Sequence, residues 1–131
     1  MPALQQNSYS ALQAVADHHD LLLVADAAHA LGARHRGRAV GTLARMTAFS
    51  LHPVKHITTG EGGVVTTDDA ALATQLRAFR NHGITTDHHQ RSAAGSWLYE
   101  MRDLGFNYRL TDFQCALGQS QLKKLPMWLA R

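Results

Sequence analysis

The apolar positions of this chain fall into two rhythms. Between Ser10 and His19, Leu12, Val15 and Ala16 recur at helical spacing, and Ser8 or Ser10 offers a capping oxygen, which predicts a helix over 10–19. Leu21-Leu22-Leu23-Val24-Ala25 then runs without a polar break, the pattern of a strand buried on both faces of a parallel sheet. A helix feeding such a strand is half of a βαβ unit, so the pattern predicts an α/β fold.

The remaining elements are shorter. Gly32–Gly41, rich in Gly and Arg, predicts a tight hairpin or loop. Thr47–Ser50 is a strand candidate ending at His52-Pro53, and Gly62–Thr67 is a second. Asp68 and Asp69 then offer N-caps to a helix over 70–81, with Leu72, Leu76 and Phe79 on its buried face and Gly83 as its stop. Residues 84–96 show little periodicity and several polar residues and read as a mobile or substrate-facing loop. Thr111-Asp-Phe-Gln114 is a capping box. The helix after it carries Phe113, Leu117 and Leu122 and ends near Lys124, before Pro126. Cys115, on its apolar side, reads as a core residue.

Composition narrows the class. The 131 residues suit one domain, and 45% hydrophobic with 18% charged residues excludes a disordered tail. The net charge is +3, but the 13 Lys and Arg residues are scattered, so no nucleic-acid partner is expected. The lone cysteine excludes an internal disulfide framework and fits a reducing compartment. The first seven residues lack a basic and an apolar signal region, and Leu21–Ala25 is far shorter than the roughly 20 residues that span a bilayer. A soluble, cytoplasmic chain without a membrane partner is therefore expected. Of the nine histidines, His18-His19 and His88-His89 are adjacent pairs that cannot face one ion together, so no metal site is expected. The chain closes on Arg131 just after Trp128 and Leu129, and no first sheet strand precedes Leu21; both features suggest a piece of something longer.

The stretch from Val24 to Gly63 concentrates the chemistry. Asp26-Ala-Ala-His29 stands at the carboxyl end of the apolar strand, where open α/β sheets bind ligands. Phe49-Ser50-Leu-His52-Pro53-Val-Lys55-His56 and Gly60-Glu61-Gly62-Gly63 follow. Each residue alone has an ordinary reading. A strand-end Asp is a cap or turn residue, a Lys is a surface charge, glycines turn a hairpin, and a His before Pro packs. Their order is more telling. A carboxylate that pairs with a protonated ring nitrogen, an amine free of acidic neighbours, a hydroxyl for a phosphate and a glycine turn suit pyridoxal 5′-phosphate (PLP), which needs a Schiff-base Lys and an Asp partner.

Three segments carry a specific resemblance. Val24-Ala-Asp-Ala-Ala-His-Ala-Leu-Gly-Ala33, Phe49-Ser-Leu-His-Pro-Val-Lys-His-Ile-Thr-Thr-Gly-Glu-Gly-Gly63 and Leu104-Gly-Phe-Asn-Tyr-Arg-Leu-Thr-Asp112 resemble the DegT/DnrJ family of PLP-dependent sugar aminotransferases of fold type I. The resemblance runs from about Ala11 to the C-terminus. With Trp97-Leu-Tyr-Glu-Met101 it leans toward the branch of the family that serves pseudaminic acid synthesis. It implies a mixed, mostly parallel sheet flanked by helices. Residues 1–131 would be part of the large, cofactor-binding domain, with the N-terminal strands and the C-terminal small domain absent. It also implies roles. Lys55 would hold the cofactor covalently and move a proton. Asp26 would keep the pyridine nitrogen protonated. His29 would hydrogen-bond the phenolic oxygen, and Ser50 the phosphate. Asn107 would reach the phosphate of a neighbouring subunit, which implies a homodimer with shared sites. The reaction implied passes an amino group from L-glutamate to a nucleotide-linked 4-keto-6-deoxy sugar. Tyr108 and Arg109 would touch substrate or fix the loop before the last helix.

Two other readings compete. Some relatives carry His where this chain has Lys55 and are sugar dehydratases; Lys55 favours transamination. A truncated, non-catalytic remnant serving as a subunit-interaction fragment has the same residues and is separated only by experiment.

Overall fold

The computed structural model describes residues 3–86 and 88–131, with the side chains of residues 3–8 and of His88 left aside. Met1 and Pro2 of the leader reading, Asp87 of the expected loop, the side chain of Ser8 as a cap and that of His88 in the histidine pair lie outside the described residues. The elements in chain order are α1 (Ala3–His18), β1 (Val24–Asp26), β2 (Arg34–His35), β3 (Arg38–Ala39), β4 (Met46–Ser50), β5 (Gly63–Thr66), α2 (Ala70–Phe79), α3 (His88–Ala93), α4 (Asp112–Leu122) and α5 (Leu125–Leu129). They form two compact units. The first runs up to Asp68 and takes in Asp112–Arg131; the second is Asp69–Thr111.

The first unit is built on a three-stranded sheet of order β1-β4-β5. β1 runs parallel to β4, and β5 antiparallel to it, so the sheet is mixed and the class is α/β. β4 is the central strand, and its alternation is clean. Thr47 and Phe49 are buried, while Met46, Ala48 and Ser50 are half-buried on the other face. Ala16, Ala27, Phe49, Leu51, Ile57 and Leu125 make up the buried apolar core. The first helix starts at Ala3, a full turn and more before either predicted cap. The Leu21–Ala25 run departs further from expectation. Only Val24 and Ala25 enter β1, and Leu21, Leu22 and Val24 are exposed. Among the described residues β1 pairs with β4 alone, so no second strand covers its other side.

The predicted hairpin forms as β2 and β3, with Arg34 paired to Ala39 and His35 to Arg38. Its two turn residues, Arg36 and Gly37, have φ of 49° and 81°. Positive φ at both positions is the type I′ turn, which matches strand twist and wants glycine.

Thr47 is fully buried at the centre of β4, and its Oγ1 has no hydrogen-bond partner among the described residues. A buried hydroxyl that has lost water and found no partner is costly. Thr47→Val keeps the β-branched shape and removes that group. The variant is expected to be more stable by about 1 kcal/mol, measured as a rise in the denaturant midpoint at unchanged m-value; a fall in midpoint would show that the hydroxyl is satisfied.

The second unit joins α2 to the segment 101–109. Asp69 caps α2 through Oδ1, which accepts the Leu72 N–H at 3.0 Å. The helix stops at Phe79 with Arg80 as its C-cap, earlier than the predicted 81, and Gly83, at φ 70°, donates its N–H to the Ala78 carbonyl. Leu72 and Leu76 are half-buried, but Phe79 is exposed. Residues 84–96 are not all loop, because α3 lies within them; Ile84 also bridges to Met101.

Candidate active site

β1 delivers Asp26 to the carboxyl edge of the sheet. The chain then turns sharply. Ala27 donates its N–H to the Ala48 carbonyl at 2.8 Å, Asp26 Oδ1 accepts the Ala28 N–H at 3.0 Å, and Ala30 N–H reaches the Ala27 carbonyl at 2.9 Å. Asp26 is therefore a turn residue as well as a strand end, through one of its two oxygens. The turn carries His29 just beyond the strand.

Ser50 ends β4 on the same sheet face as Asp26. Asp26 is in register with Ala48 across the parallel pair, and Ser50 follows Ala48 by two residues. Gly63, in register with Ser50 on β5, adds no side chain to this face. Ser50 Oγ accepts the His52 N–H at 3.3 Å.

Between Ser50 and Gly63 the chain makes a pinned loop. Leu51 donates its N–H to the Gly62 carbonyl at 2.8 Å. The Leu51 carbonyl accepts twice, from the Thr59 N–H at 3.0 Å and from Thr58 Oγ1 at 2.9 Å. Inside the loop, Lys55 N–H reaches the His52 carbonyl at 3.0 Å, which turns the chain after Pro53. His52 does not pack. It is exposed, and its Nδ1 accepts the Val54 N–H at 3.3 Å.

The loop brings the half-buried Lys55 to His29. Lys55 Nζ lies 2.7 Å from His29 Nε2, across 26 residues of sequence. With Lys55 as an ammonium, which only donates, Nε2 would accept and the imidazole would carry its hydrogen on Nδ1. No carboxylate pairs with Lys55 among the described residues.

Thus Lys55 and His29 are brought into contact, and Asp26 and Ser50 share one sheet face. Asn107 belongs to the second unit, where it bridges to Asn81. Around it, Phe106 N–H meets the Phe79 carbonyl at 2.7 Å and Tyr108 N–H the Arg80 carbonyl at 3.0 Å. Phe106 lies edge-on to Phe79 and stacks on Tyr108, and Arg109 donates to Asn81 Oδ1 at 2.7 Å. Tyr108 and Arg109 fix this segment.

Gln121 escaped the sequence reading, and Gln114 was read there only as part of a capping box. Gln121 Oε1 accepts the Thr58 N–H at 2.9 Å, and Gln114 Nε2 donates to the Glu61 carbonyl at 2.9 Å. The signal was there in their spacing of seven, two helical turns on one face. Phe113, Leu117 and Leu122 point away instead and are exposed, Phe113 at 90%. Cys115 is exposed as well, not core.

The donor set fits the phosphate-bearing aldehyde cofactor implied by the resemblance: an accessible primary amine, a strand-end carboxylate, and a hydroxyl on the same face beside a bare glycine. Comparison with known proteins points the same way. Residues 5–131 match the family model described as the DegT/DnrJ/EryC1/StrS aminotransferase family. An uncharacterized protein of Methanocaldococcus jannaschii is 47% identical over 89% of this chain and 31% of its own length. A UDP-4-amino-4,6-dideoxy-N-acetyl-beta-L-altrosamine transaminase of Campylobacter jejuni is 43% identical over 85% of this chain and 28% of its own. Among solved structures, Helicobacter pylori PseC, an aminotransferase of pseudaminic acid biosynthesis, superposes with a TM-score of 0.80 at 37% identity, covering 91% of this chain and 30% of that one. The chain thus spans under a third of the length of these relatives.

Proposed function

We propose, from the premise that this chain belongs to the DegT/DnrJ/EryC1/StrS aminotransferase family, that it forms the cofactor-holding part of the large domain of a PLP-dependent enzyme. That enzyme moves an amino group from L-glutamate to a nucleotide-linked 4-keto-6-deoxy sugar, in pseudaminic acid-type glycan synthesis. The observation that carries this reading is the Lys55–His29 contact at the carboxyl edge of the sheet, beside the Asp26 and Ser50 face.

Bound PLP supplies an electron sink for the pair released when a Cα–H bond breaks. The protein's residues do the rest. Asp26 offers a carboxylate to the protonated ring nitrogen. Ser50 offers its hydroxyl to the phosphate. Lys55 would hold the cofactor covalently through Nζ, and His29 Nε2, 2.7 Å from that nitrogen, would be placed to take the proton that an ammonium there must lose. His29 would also offer a hydrogen bond to the cofactor's phenolic oxygen. Asn107 serves the phosphate of a second subunit, so the working form is a homodimer. The Campylobacter and Helicobacter relatives support the sugar class, and Lys55 supports transfer over dehydration. No helix among the described residues is long and apolar enough to cross a membrane.

The test is to add PLP to the purified chain, reduce with borohydride and map the product by mass spectrometry. Lys55, Lys123 and Lys124 are its three lysines, so the last two are internal controls. A pyridoxyl adduct concentrated on Lys55 is expected. Equal labelling of all three would overturn the reading in favour of a remnant without a working cofactor site.

A further inference from the structure

α4 presents a narrow stripe to the loop that carries Lys55. From Asp112 to Leu125 only Gln114, Gly118, Gln121 and Leu125 are not exposed. Their spacing of four, three and four residues is one helical face. The stripe is polar and small where an ordinary packing face is apolar, and each member meets the loop or the core. Gln121 accepts the Thr58 N–H and Gln114 donates to the Glu61 carbonyl. Between them, a Cβ on Gly118 would stand 2.9 Å from Thr59 Cγ2, so the helix backbone lies directly on a threonine that is itself buried. Leu125 continues the stripe into the core.

We propose that Gln114, Gly118 and Gln121 form a clamp that fixes the 58–61 turn and thereby holds Lys55 against His29; they are positioning residues. The inference deepens the reading of Lys55 as the cofactor lysine and rests on it. The mechanical argument is direct. Thr58 and Thr59 anchor the far side of the loop to the Leu51 carbonyl, and Gly60 N–H is tied to Thr58 Oγ1 at 2.9 Å. Thr59 Oγ1 donates to the Glu61 carbonyl at 2.7 Å, so that carbonyl receives both Thr59 and Gln114. With the turn fixed from both ends, Lys55 has a short span over which to move. Without α4, the turn is held only by the bonds within the loop and to Leu51.

The polarity of the two bonds supplies the test, because the same substitution has opposite consequences at the two positions. Thr58 N–H is a donor, so Gln121→Glu keeps an acceptor, whereas Gln121→Met removes it. The Glu61 carbonyl is an acceptor, so Gln114→Glu removes the donor and sets a carboxylate against it. Two readouts are taken on the whole chain. The first is amide hydrogen exchange at Thr58, which does not involve PLP. The second is the acylation rate of Lys55 relative to Lys123 and Lys124, also without PLP. Gln121→Met is expected to speed Thr58 exchange about five-fold, the cost of one partly buried hydrogen bond, and to alter the Lys55 ratio. Gln121→Glu is expected to restore both. Gln114→Glu is expected to alter the Lys55 ratio as Gln121→Met does. Unchanged Thr58 exchange in Gln121→Met overturns the clamp. Faster exchange with an unchanged Lys55 ratio overturns the positioning role. The PLP adduct experiment fails or succeeds separately, so a failed cofactor reading is told apart from a failed clamp.

Discussion

Replacing Lys55 with alanine is expected to remove the borohydride-stable pyridoxyl adduct from this chain, leaving only the background on Lys123 and Lys124. The expectation follows from position rather than from lysine chemistry in general. Lys55 is half-buried, meets no described carboxylate, and has an imidazole nitrogen 2.7 Å from its amine. Lys123 and Lys124 are exposed and follow the end of α4, where they hold ordinary solvated charges. On the proposed reading, a complete enzyme carrying the same variant is expected to lose both the covalent hold and the proton carrier, and a positioned proton carrier alone is worth about 10²–10⁴-fold in rate. Lys55→Arg keeps the charge but cannot condense, so it is expected to fail equally. Adduct formation at the wild-type level in Lys55→Ala would show that another amine holds the cofactor.

Gly105→Ala is expected to break the second unit. A Cβ at this position would overlap the Gly83 backbone nitrogen, and would lie 2.7 Å from the His82 carbonyl carbon and 2.8 Å from the Phe79 carbonyl oxygen. All three are backbone atoms, so no rotamer change relieves the overlap. The strands of chain on either side must part, and with them go the Phe106-to-Phe79, His82-to-Phe106 and Tyr108-to-Arg80 bonds and the stack of Phe106 on Tyr108. We expect a loss of roughly 3 kcal/mol or more, in the range of severe overpacking. Amide exchange at His82, Phe106 and Tyr108 should become fast together. Retained protection at these three amides would mean that the segment tolerates the methyl group by a shift the present packing does not foresee. Because Asn107 is bridged to Asn81 inside this ladder, the variant also removes the backbone support at Asn107.

Much of this architecture was legible along the chain, but unevenly. Local signals read well. The Asp69 cap, the hairpin within Gly32–Gly41, the strand at Thr47–Ser50 and the helix end before Pro126 all depend on a few neighbouring residues, and the structure forms each of them close to where it was expected. Signals that depend on distant partners read less well. Leu21–Ala25 has the composition of a central strand; among the described residues β1 is short and pairs with β4 alone, and Leu21 and Leu22 are exposed. Phe113, Leu117 and Leu122 suggested an apolar helix face, yet α4 turns glutamine and glycine inward.

The reason is the reach of each interaction. By itself the sequence determined which chemical groups are available, since Asp26, His29, Ser50, Lys55 and Asn107 carry their chemistry wherever they stand, and it determined the short elements, because caps and turns close over three or four residues. Only the tertiary structure decided which groups meet. Lys55 finds His29 because a pinned loop folds back over a sheet edge. Gln114 and Gln121 matter because one backbone donor and one backbone acceptor of that loop, the Thr58 N–H and the Glu61 carbonyl, face the helix that passes over them. A buried backbone group must be satisfied by whatever lies against it. Periodicity along a helix records which residues share a face, but the choice of face belongs to the surface it covers.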